Sequence, residues 1–246
     1  MAEVAGLLLR RRPSAGALIV GVTGGVASGK TTFSAGLEAS LKSATPLHVE
    51  RVSTDGFLLA NAVLAARDLS MRKGFPESYD ATGLARALAD VRTGAVDFPG
   101  YSHITYDVDP ALTRRIEAPD ILIVEGVALP MAAGGERGQI DVVIYLDADE
   151  ASMEAWYVDR FLRFWAAARD DPASFYAQFG RLALDEADRL ARSVWRAINL
   201  PLLRECVLPA RKRADIVVHK RADHRINRIS ARRAWPSLDR RTAVTL

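Results

Sequence analysis

The sequence predicts an α/β fold in which helices flank a doubly wound, mostly parallel sheet. Apolar runs typical of buried parallel strands alternate with amphipathic segments, and a glycine-rich loop directly follows the first run. The predicted strands span residues 17–23, 48–53, 121–124, 142–146 and 215–218. The predicted helices span residues 30–43, 84–92, 150–168, 185–198 and 224–233. Residues 68–119 have weak periodicity and are expected to form a lid or substrate-facing insertion.

Length and composition favour one large domain. Within the 246 residues we expect a short, frayed N-terminal arm (1–16), one domain (17–234) and a basic C-terminal tail (235–246). The net charge of +3 hides an asymmetry, since residues 211–246 contain eleven Lys or Arg and three Asp. No recognisable nucleic-acid motif accompanies these charges, so we expect no nucleic-acid partner. We also expect no membrane partner, because no apolar run approaches about 20 residues. The single cysteine, Cys206, suits a reducing cytoplasm.

The glycine-rich loop is the strongest functional signal. Its residues, Gly24, Gly25, Val26, Ala27, Ser28, Gly29, Lys30 and Thr31, fit the pattern G-x-x-x-x-G-K-[ST] between a predicted strand and a predicted helix. Such a loop lets backbone N–H groups converge on phosphates beside the positive end of the helix. Lys30 is expected to reach the β- and γ-phosphates, Thr31 to ligate magnesium, and Thr32 to belong to the same site. The sequence therefore predicts a site for a nucleoside triphosphate.

Two acidic residues follow predicted strands and are expected at the carboxyl edge of the sheet, where α/β folds bind ligands. Asp55 comes after the second strand, where a carboxylate can accept the proton of an attacking hydroxyl or hold magnesium. An Asp-Gly turn without a chemical role is the alternative. Glu125 follows the third strand and is the candidate for a second acidic group beside the metal and the γ-phosphate.

Two further segments carry side chains that suit a second substrate and its phosphorylation. Arg160 lies one residue off an aromatic stripe in the predicted helix 150–168, and a guanidinium on a lid helix can bind two phosphoryl oxygens. The stripe itself is typical of core packing. Tyr101, His103 and Tyr106 bring three rings close together, which suits a polar organic ligand, although an exposed edge strand has a similar sequence.

Longer blocks of sequence extend well beyond the phosphate loop. They are Ser53-Thr54-Asp55-Gly56-Phe57-Leu58, Arg72-Lys73-Gly74-Phe75-Pro76-Glu77-Ser78-Tyr79-Asp80, Tyr101-Ser102-His103, Tyr106-Asp107-Val108, residues 119–126, Trp156-Tyr157, Arg160-Phe161-Leu162, Ile198-Asn199, and Leu208-Pro209 with Arg211. In order and in most spacings these blocks resemble bacterial type I pantothenate kinase, a P-loop kinase related to uridine kinase and phosphoribulokinase. The resemblance extends from Leu18 to about Ile229.

The resemblance implies transfer of the γ-phosphoryl group of ATP to the primary hydroxyl of pantothenate, the committing step towards coenzyme A. It implies that Asp55 activates the hydroxyl, and that Lys30 and Arg160 stabilise the transferring phosphoryl. It further implies that Thr31 and Glu125 hold Mg²⁺. The side chains implied to bind pantothenate are Tyr101, His103, Tyr106, Tyr157 and Asn199, and those implied near the nucleotide base are Lys220 and His224. A homodimer is also implied.

The chain departs from the family pattern at positions that bear on specificity. It reads Ile198-Asn199-Leu200-Pro201-Leu202-Leu203 where the family has Ile-Asn-Trp-Pro-Asn-Leu, which alters part of the expected substrate wall. Ala35 stands where the family has a basic residue that binds the feedback inhibitor coenzyme A, and Arg169 replaces an aromatic residue of the inhibitor site. Two alternatives stay open: a related kinase with another hydroxylated acceptor, such as a nucleoside, and a nucleotide-binding regulator.

Overall fold

A central parallel sheet organises the fold, and a computed structural model describes residues 1–13, 16–127, 129 and 138–232. The strands are β1 (Leu18–Gly24), β2 (Val49–Ser53), β3 (Val96–Ser102), β4 (Asp107–Ile116), β5 (Ile121–Glu125), β6 (Val142–Asp147), β7 (Ile216–Lys220) and β8 (Ile226–Ala231). Within the described residues, the sheet has the order β2-β5-β1-β6-β7-β8, and β3 pairs with β4 in a separate hairpin. All neighbours in the sheet are parallel except β7 and β8. The predicted α/β fold with a mostly parallel sheet is confirmed.

Helices cover both faces of this sheet. They are α1 (Ala2–Leu9), α2 (Lys30–Ala44), α3 (Asn61–Ala66), α4 (Ala81–Asp90), α5 (Glu150–Ala167), α6 (Leu184–Val194), α7 (Leu200–Leu202) and α8 (Leu208–Arg211). Two π-helical turns, Trp195–Asn199 and Leu203–Val207, join α6 to α8 in one continuous stretch. Strands β1 and β5 are buried along their whole length because both faces of the sheet are covered. None of the described helices is long and apolar enough to cross a bilayer.

The helix predicted for residues 224–233 is wrong, because residues 226–231 form strand β8. Ile226 and Ile229 recur at a spacing that also fits a helix, and this spacing suggested the wrong period. In the structure β8 pairs antiparallel with β7, with Ile229 opposite Val218, and its remaining side chains are mostly exposed. Pairing with the open edge of the sheet therefore outweighed the local helical pattern.

The N-terminal arm is not frayed over the residues that the structure describes. Val4, Ala5 and Leu8 of α1 are buried against α2 and the sheet, since they share one face of the helix. Arg12 then forms an ion pair with Asp120 at the start of β5. The predicted basic tail, 235–246, lies outside the described residues.

The predicted insertion contains α4 and the β3–β4 hairpin, and the base of the hairpin contacts the turn that carries Asp55. A Cβ atom on Gly56 would lie 1.8 Å from the carbonyl oxygen of Pro99 in β3. Beside this contact, the rings of Phe57 and Phe98 meet edge to face with centroids 6.0 Å apart. The close approach therefore fixes the turn after β2 against the hairpin.

Gly56→Ala is expected to destabilise the protein, because the added methyl group requires the backbone of β3 to move. Overpacking of this kind costs about 1–3 kcal/mol, and each kcal/mol lowers Tm by roughly 2–4 °C in a chain of this size. Thermal unfolding followed by circular dichroism measures the shift. Gly94→Ala is the matched control, since a Cβ atom there has no neighbour within 4 Å. Equal Tm values for the two variants would contradict the close approach.

Candidate active site

The carboxyl ends of the parallel strands open into one cleft of about 680 Å³. Predicted site residues from widely separated segments line it: Lys30, Thr31, Thr32, Asp55, Tyr101, His103, Tyr106, Glu125, Tyr157, Arg160, Asn199, Lys220 and His224. Val26, Ala27 and Gly29 of the phosphate loop also line the cleft. Gly24 ends β1, and Gly25 and Ser28 complete the turn to α2.

The phosphate loop has the backbone geometry that its glycines predict. Gly29 caps α2 with a φ of 84°, in the left-handed region where a side chain is strained. A Cβ atom at Gly29 would also lie 2.7 Å from Lys220 Nζ, so both conformation and space require glycine. The loop thus wraps the N-terminus of α2, where unpaired N–H groups and the helix dipole attract anions.

Lys30 is a buried cation, with 8% of its surface exposed. Its Nζ donates hydrogen bonds to the carbonyl oxygens of Gly24 at 3.2 Å and Gly25 at 3.0 Å. Burial lowers the pKa of Lys30 to about 8, although the Glu125 and Asp55 carboxylates favour the charged form. A phosphate anion at this position would restore the full charge of the ammonium group.

Thr31 and Glu125 form the other polar contact of the loop. Thr31 Oγ1 donates a hydrogen bond to Glu125 Oε1 at 2.8 Å. Burial raises the pKa of Glu125, while the Lys30 charge and the Thr31 hydrogen bond oppose the shift. The Thr31 hydroxyl oxygen and the Glu125 carboxylate oxygens are adjacent and could both act as ligands of Mg²⁺. This ion takes one or two protein ligands together with phosphate and water oxygens. Among the described residues no group of three or more His, Cys, Asp or Glu forms a denser metal site.

Asp55 faces the loop from the turn that follows β2. Its backbone N–H donates to Ser53 Oγ at 3.2 Å, which fixes the start of a 3-10 turn. His103 lines the same cleft, and burial lowers its pKa. The Asp55 carboxylate opposes this shift, whereas the Arg160 guanidinium increases it. A neutral imidazole between two opposite charges can donate one hydrogen bond and accept another.

Three tyrosines border the same side of the cleft. Burial raises the pKa of Tyr101, Tyr106 and Tyr157, in the last case to about 12, so their hydroxyls stay protonated at neutral pH. The Tyr101 ring contacts the His103 ring at a centroid distance of 5.2 Å and the Tyr106 ring at 6.0 Å. These groups form a partly apolar wall with hydrogen-bond donors, which suits an organic molecule with amide and hydroxyl groups.

Asn199 and Arg160 complete this wall from two helical segments. Asn199 ends the first π-helical turn, and its amide interacts with the Tyr157 hydroxyl closely enough to oppose the rise in the pKa of that tyrosine. Its buried Nδ2 makes no hydrogen bond of good geometry to the residues that the structure describes. Such a donor is costly when it stays unpaired, so it favours a ligand acceptor in the cleft. Arg160 lies on α5 one turn after Tyr157 and also lines the cleft.

Lys220 and His224 lie at the other end of the cleft, beside Trp156. Lys220 Nζ donates to the carbonyl oxygen of Ser28 at 2.6 Å. His224 stacks on the Trp156 indole with centroids 4.2 Å apart, and the indole Nε1 donates to Ala222 O at 2.8 Å. His224 reaches this position from the β7–β8 turn with a φ of 66° rather than from the predicted helix. The result is a flat, partly aromatic surface next to the phosphate loop.

Sequence reasoning gave no role to Lys73, which also lines the cleft. Its Nζ donates to Asn61 Oδ1 at 2.6 Å and to the Tyr106 carbonyl at 2.5 Å. Burial lowers the pKa of Lys73, and the Asp107 and Asp55 carboxylates oppose this shift. The only signal in the sequence was its place within the block 72–80, because no strand end or helical period marks it.

The altered wall involves one leucine rather than two. Leu202 lines the cleft, is 2% exposed and lies against Gly74, where a Cβ atom would be 3.3 Å from Leu202 Cδ2. Leu200 packs against the same hydrophobic core that contains Leu202, but it is not among the residues that line the cleft. The departure from the family pattern therefore affects the cleft through Leu202.

Residues 19–161 match the phosphoribulokinase/uridine kinase family. Relatives named pantothenate kinase are similar over more of the chain. The one from Sorangium cellulosum is 44% identical over 91% of this chain and 74% of its own length. The one from Parvibaculum lavamentivorans is 43% identical over 87% of this chain and 70% of its own length. The one from Streptococcus pneumoniae serotype 19F is 39% identical over 91% and 75%, respectively.

Solved structures share the same fold. A protein from Silicibacter sp. TM1040, provisionally named a fructose transport system kinase, is 30% identical, with a TM-score of 0.61 over 81% of this chain and 95% of that chain. D-glycerate 3-kinase from Cryptococcus neoformans is 15% identical, with a TM-score of 0.60 over 93% of this chain and 98% of that chain. The second likeness concerns the fold alone.

The pKa of Lys30 near 8 predicts that a nucleoside triphosphate binds together with a proton. At pH 8 about half of the lysines are neutral without ligand, so roughly half a proton per site is taken up on binding. Affinity is expected to fall as the pH rises from 7 to 9. Calorimetric titration in buffers of different ionisation enthalpy measures the uptake.

Lys30→Arg is the control, because a guanidinium stays charged throughout this range. We expect this variant to show no proton uptake at pH 8 to 9. Wild-type protein that binds the triphosphate without uptake, or uptake that persists in the arginine variant, would contradict the assignment to Lys30.

Proposed function

Because this chain belongs to the phosphoribulokinase/uridine kinase family, and within it to the pantothenate kinases, we propose that its cleft transfers the γ-phosphoryl group of ATP to pantothenate. The products are 4'-phosphopantothenate and ADP, in the first step of coenzyme A biosynthesis. The observation that carries the proposal is that Lys30 of the phosphate loop and Asp55, from the turn after β2, line the same cleft. The same cleft is lined by the phosphate loop and by the rings of Tyr101, His103 and Tyr106.

Asp55 is proposed to accept the proton of the attacking hydroxyl. It lines the cleft together with Lys30 and Thr31 of the phosphate loop and with the ring wall, so an acceptor hydroxyl in the cleft could meet both the carboxylate and the γ-phosphate. A carboxylate placed there orients the hydroxyl and takes its proton as the new P–O bond forms. No covalent intermediate on the protein is required.

Lys30 and Arg160 are proposed to stabilise the transferring phosphoryl group. Negative charge is spread over its equatorial oxygens during transfer, and two cations that face the same cleft would stabilise it. Arg160 adds a planar group that can bind two oxygens at once. Thr31 and Glu125 would hold Mg²⁺, which when bound supplies further charge neutralisation at the phosphates.

Pantothenate is proposed to lie against the ring wall. Its amide, hydroxyl and carboxylate groups match the donors and acceptors of Tyr101, His103, Tyr106, Tyr157 and Asn199. The buried Nδ2 of Asn199, which makes no hydrogen bond of good geometry to the described residues, can donate to a carbonyl or carboxylate oxygen.

The ATP base is proposed to lie at the opposite end of the cleft, near Lys220 and His224. The stacked pair of His224 and Trp156 offers a flat surface there. Lys220 fixes the phosphate loop through the Ser28 carbonyl and adds positive charge beside the phosphates.

Regulation, assembly and location are proposed from the family resemblance. We expect weak inhibition by coenzyme A, since Ala35 has no charge for a phosphate of the inhibitor. Arg169 replaces an aromatic residue that contributes to the inhibitor site in the family. Its guanidinium lies 4.6 Å from the Trp165 ring centroid. A homodimer in the cytoplasm is also expected.

A second candidate is a kinase of the same fold with another hydroxylated acceptor. Leu202 favours it, because an apolar side chain replaces the polar residue of the family pattern. The 30% identity to the Silicibacter protein also supports this candidate. Because of the name of that protein, sugars are included as alternative acceptors in the test below.

A panel of acceptors tests the proposal. ADP release is measured with pantothenate, D-fructose, D-glycerate, uridine or water, and the product is identified by mass. We expect pantothenate to give the highest kcat/KM, with a mass gain of one phosphoryl group. ADP release that is no faster with pantothenate than with water would contradict the function, and faster turnover of another acceptor would support the second candidate.

Asp55→Asn separates an enzyme from a nucleotide-binding regulator. The kinase loses roughly 10²- to 10⁴-fold in kcat with this change but still binds ATP, because the phosphate loop is intact. Asp159→Asn is the control, since Asp159 also lines the cleft but has an exposed side chain paired with Arg163. Full turnover in the Asp55 variant would contradict the catalytic role.

A further inference from the structure

The β3–β4 hairpin carries three of the acceptor-side rings but has little support of its own. It has two strands, most of β4 is exposed, and it is separate from the central sheet. An isolated two-stranded hairpin is marginally stable in water. Its strands are held by the contact of Gly56 with Pro99 and by Arg114, whose guanidinium donates to the Arg51 carbonyl oxygen at 2.9 Å and to Glu50 Oε2 at 2.7 Å. The tip, which presents His103 and Tyr106, therefore needs a contact elsewhere.

Phe175 supplies such a contact from the 3-10 turn Phe175–Phe179. Its backbone N–H donates to the Ile104 carbonyl oxygen at 2.7 Å. Its ring stacks on the Tyr106 ring with centroids 4.8 Å apart and an interplanar angle of 25°. Phe175 itself packs on Tyr176 and Phe179 of the core. The hairpin tip is thereby joined to the helical side of the molecule.

Tyr106 needs this support because its backbone is strained. Its φ of 56° lies in the left-handed region, which is unfavourable for a residue with a side chain unless its surroundings fix it. This conformation turns the Tyr106 carbonyl towards Lys73 Nζ at 2.5 Å and Asn61 Nδ2 at 3.1 Å. The carbonyl is thus held on one side and the ring on the other.

We propose that Phe175 is a positioning residue for the acceptor half of the cleft, and that it acts by holding the Tyr106 ring in place. This inference rests on the proposed function, since it concerns how the acceptor binds. Phe175 does not itself line the cleft. The class of ligand concerned is the hydroxylated organic acceptor, and the nucleotide half has no contact with Phe175 among the ring contacts and hydrogen bonds described.

Phe175→Leu tests the proposal, because it keeps an apolar side chain and the backbone N–H but removes the flat ring. We expect the KM for pantothenate to rise roughly tenfold or more, with kcat and the KM for ATP changed less than twofold. This pattern is that of a binding contact shared by the ground state and the transition state. Phe175→Tyr keeps the ring and is expected to restore the wild-type KM.

Phe179→Leu is the matched control. Phe179 lies in the same 3-10 turn and the same ring cluster, and its described ring contacts are with Phe161, Phe175 and Tyr176 rather than with the hairpin. It is expected to lower Tm without raising the KM for pantothenate. An unchanged KM in Phe175→Leu, or an equal rise in both leucine variants, would overturn the proposal.

Hydrogen exchange of the unliganded protein gives a readout that does not depend on activity. We expect amides of residues 102–107 to exchange faster in Phe175→Leu than in wild type or Phe179→Leu. Equal exchange of residues 102–107 in Phe175→Leu and wild type would overturn the positioning role. This readout is valid even if the wild-type protein fails to phosphorylate pantothenate. That failure would instead refute the proposed function, so the two outcomes are distinguishable.

Discussion

The burial of one positive charge constrains the architecture of this site. An ammonium group removed from water is costly unless nearby acceptors and anions compensate for it. For Lys30 this compensation comes from three neighbouring strands: loop carbonyls after β1, Glu125 at the end of β5 and Asp55 after β2. The sheet register sets Val22 and Ser53 opposite Glu125. The order β2-β5-β1 therefore brings the phosphate loop, the acidic oxygen donor and the proposed base together.

Two other lysines stabilise the cleft in a related way, one in each half. Lys220 donates to the Ser28 carbonyl and fixes the phosphate loop from the edge of β7. Lys73 donates to the Tyr106 carbonyl and fixes the tip of the hairpin. Burial lowers the pKa of both lysines. Each half of the cleft thus combines a backbone segment of unusual conformation with a cation that holds it, so that both substrates would meet a largely preformed surface.

Sequence patterns predicted those parts of the fold in which the polarity of each residue matches its burial in the structure. Strands β1 and β5 are buried on both faces, so they appear as apolar runs, and the acidic residues that follow strands lie where strand ends meet. Strand β8 could not be predicted, because Ile226 and Ile229 are three residues apart, a spacing that shares one face in a helix but not in a strand. Pairing with the open edge of β7 overrides this local pattern. Whether Leu200 or Leu202 faces the cleft depends on the two π-helical turns that flank them. These turns rotate the following residues around the helix axis, and the spacing of apolar residues in the sequence does not indicate such a rotation. Lys73 could not be assigned because its partners are distant backbone and turn residues.

The central claim is that one cleft brings an acceptor hydroxyl to the γ-phosphate between Lys30 and Asp55. The most direct test is a crystal structure with a non-hydrolysable ATP analogue, magnesium and pantothenate bound together. We expect the primary hydroxyl oxygen within about 3 Å of the Asp55 carboxylate and roughly 3–3.5 Å from the γ-phosphorus, with the γ-phosphate contacting Lys30. Pantothenate bound away from Asp55, or a γ-phosphate out of reach of its hydroxyl, would contradict the account.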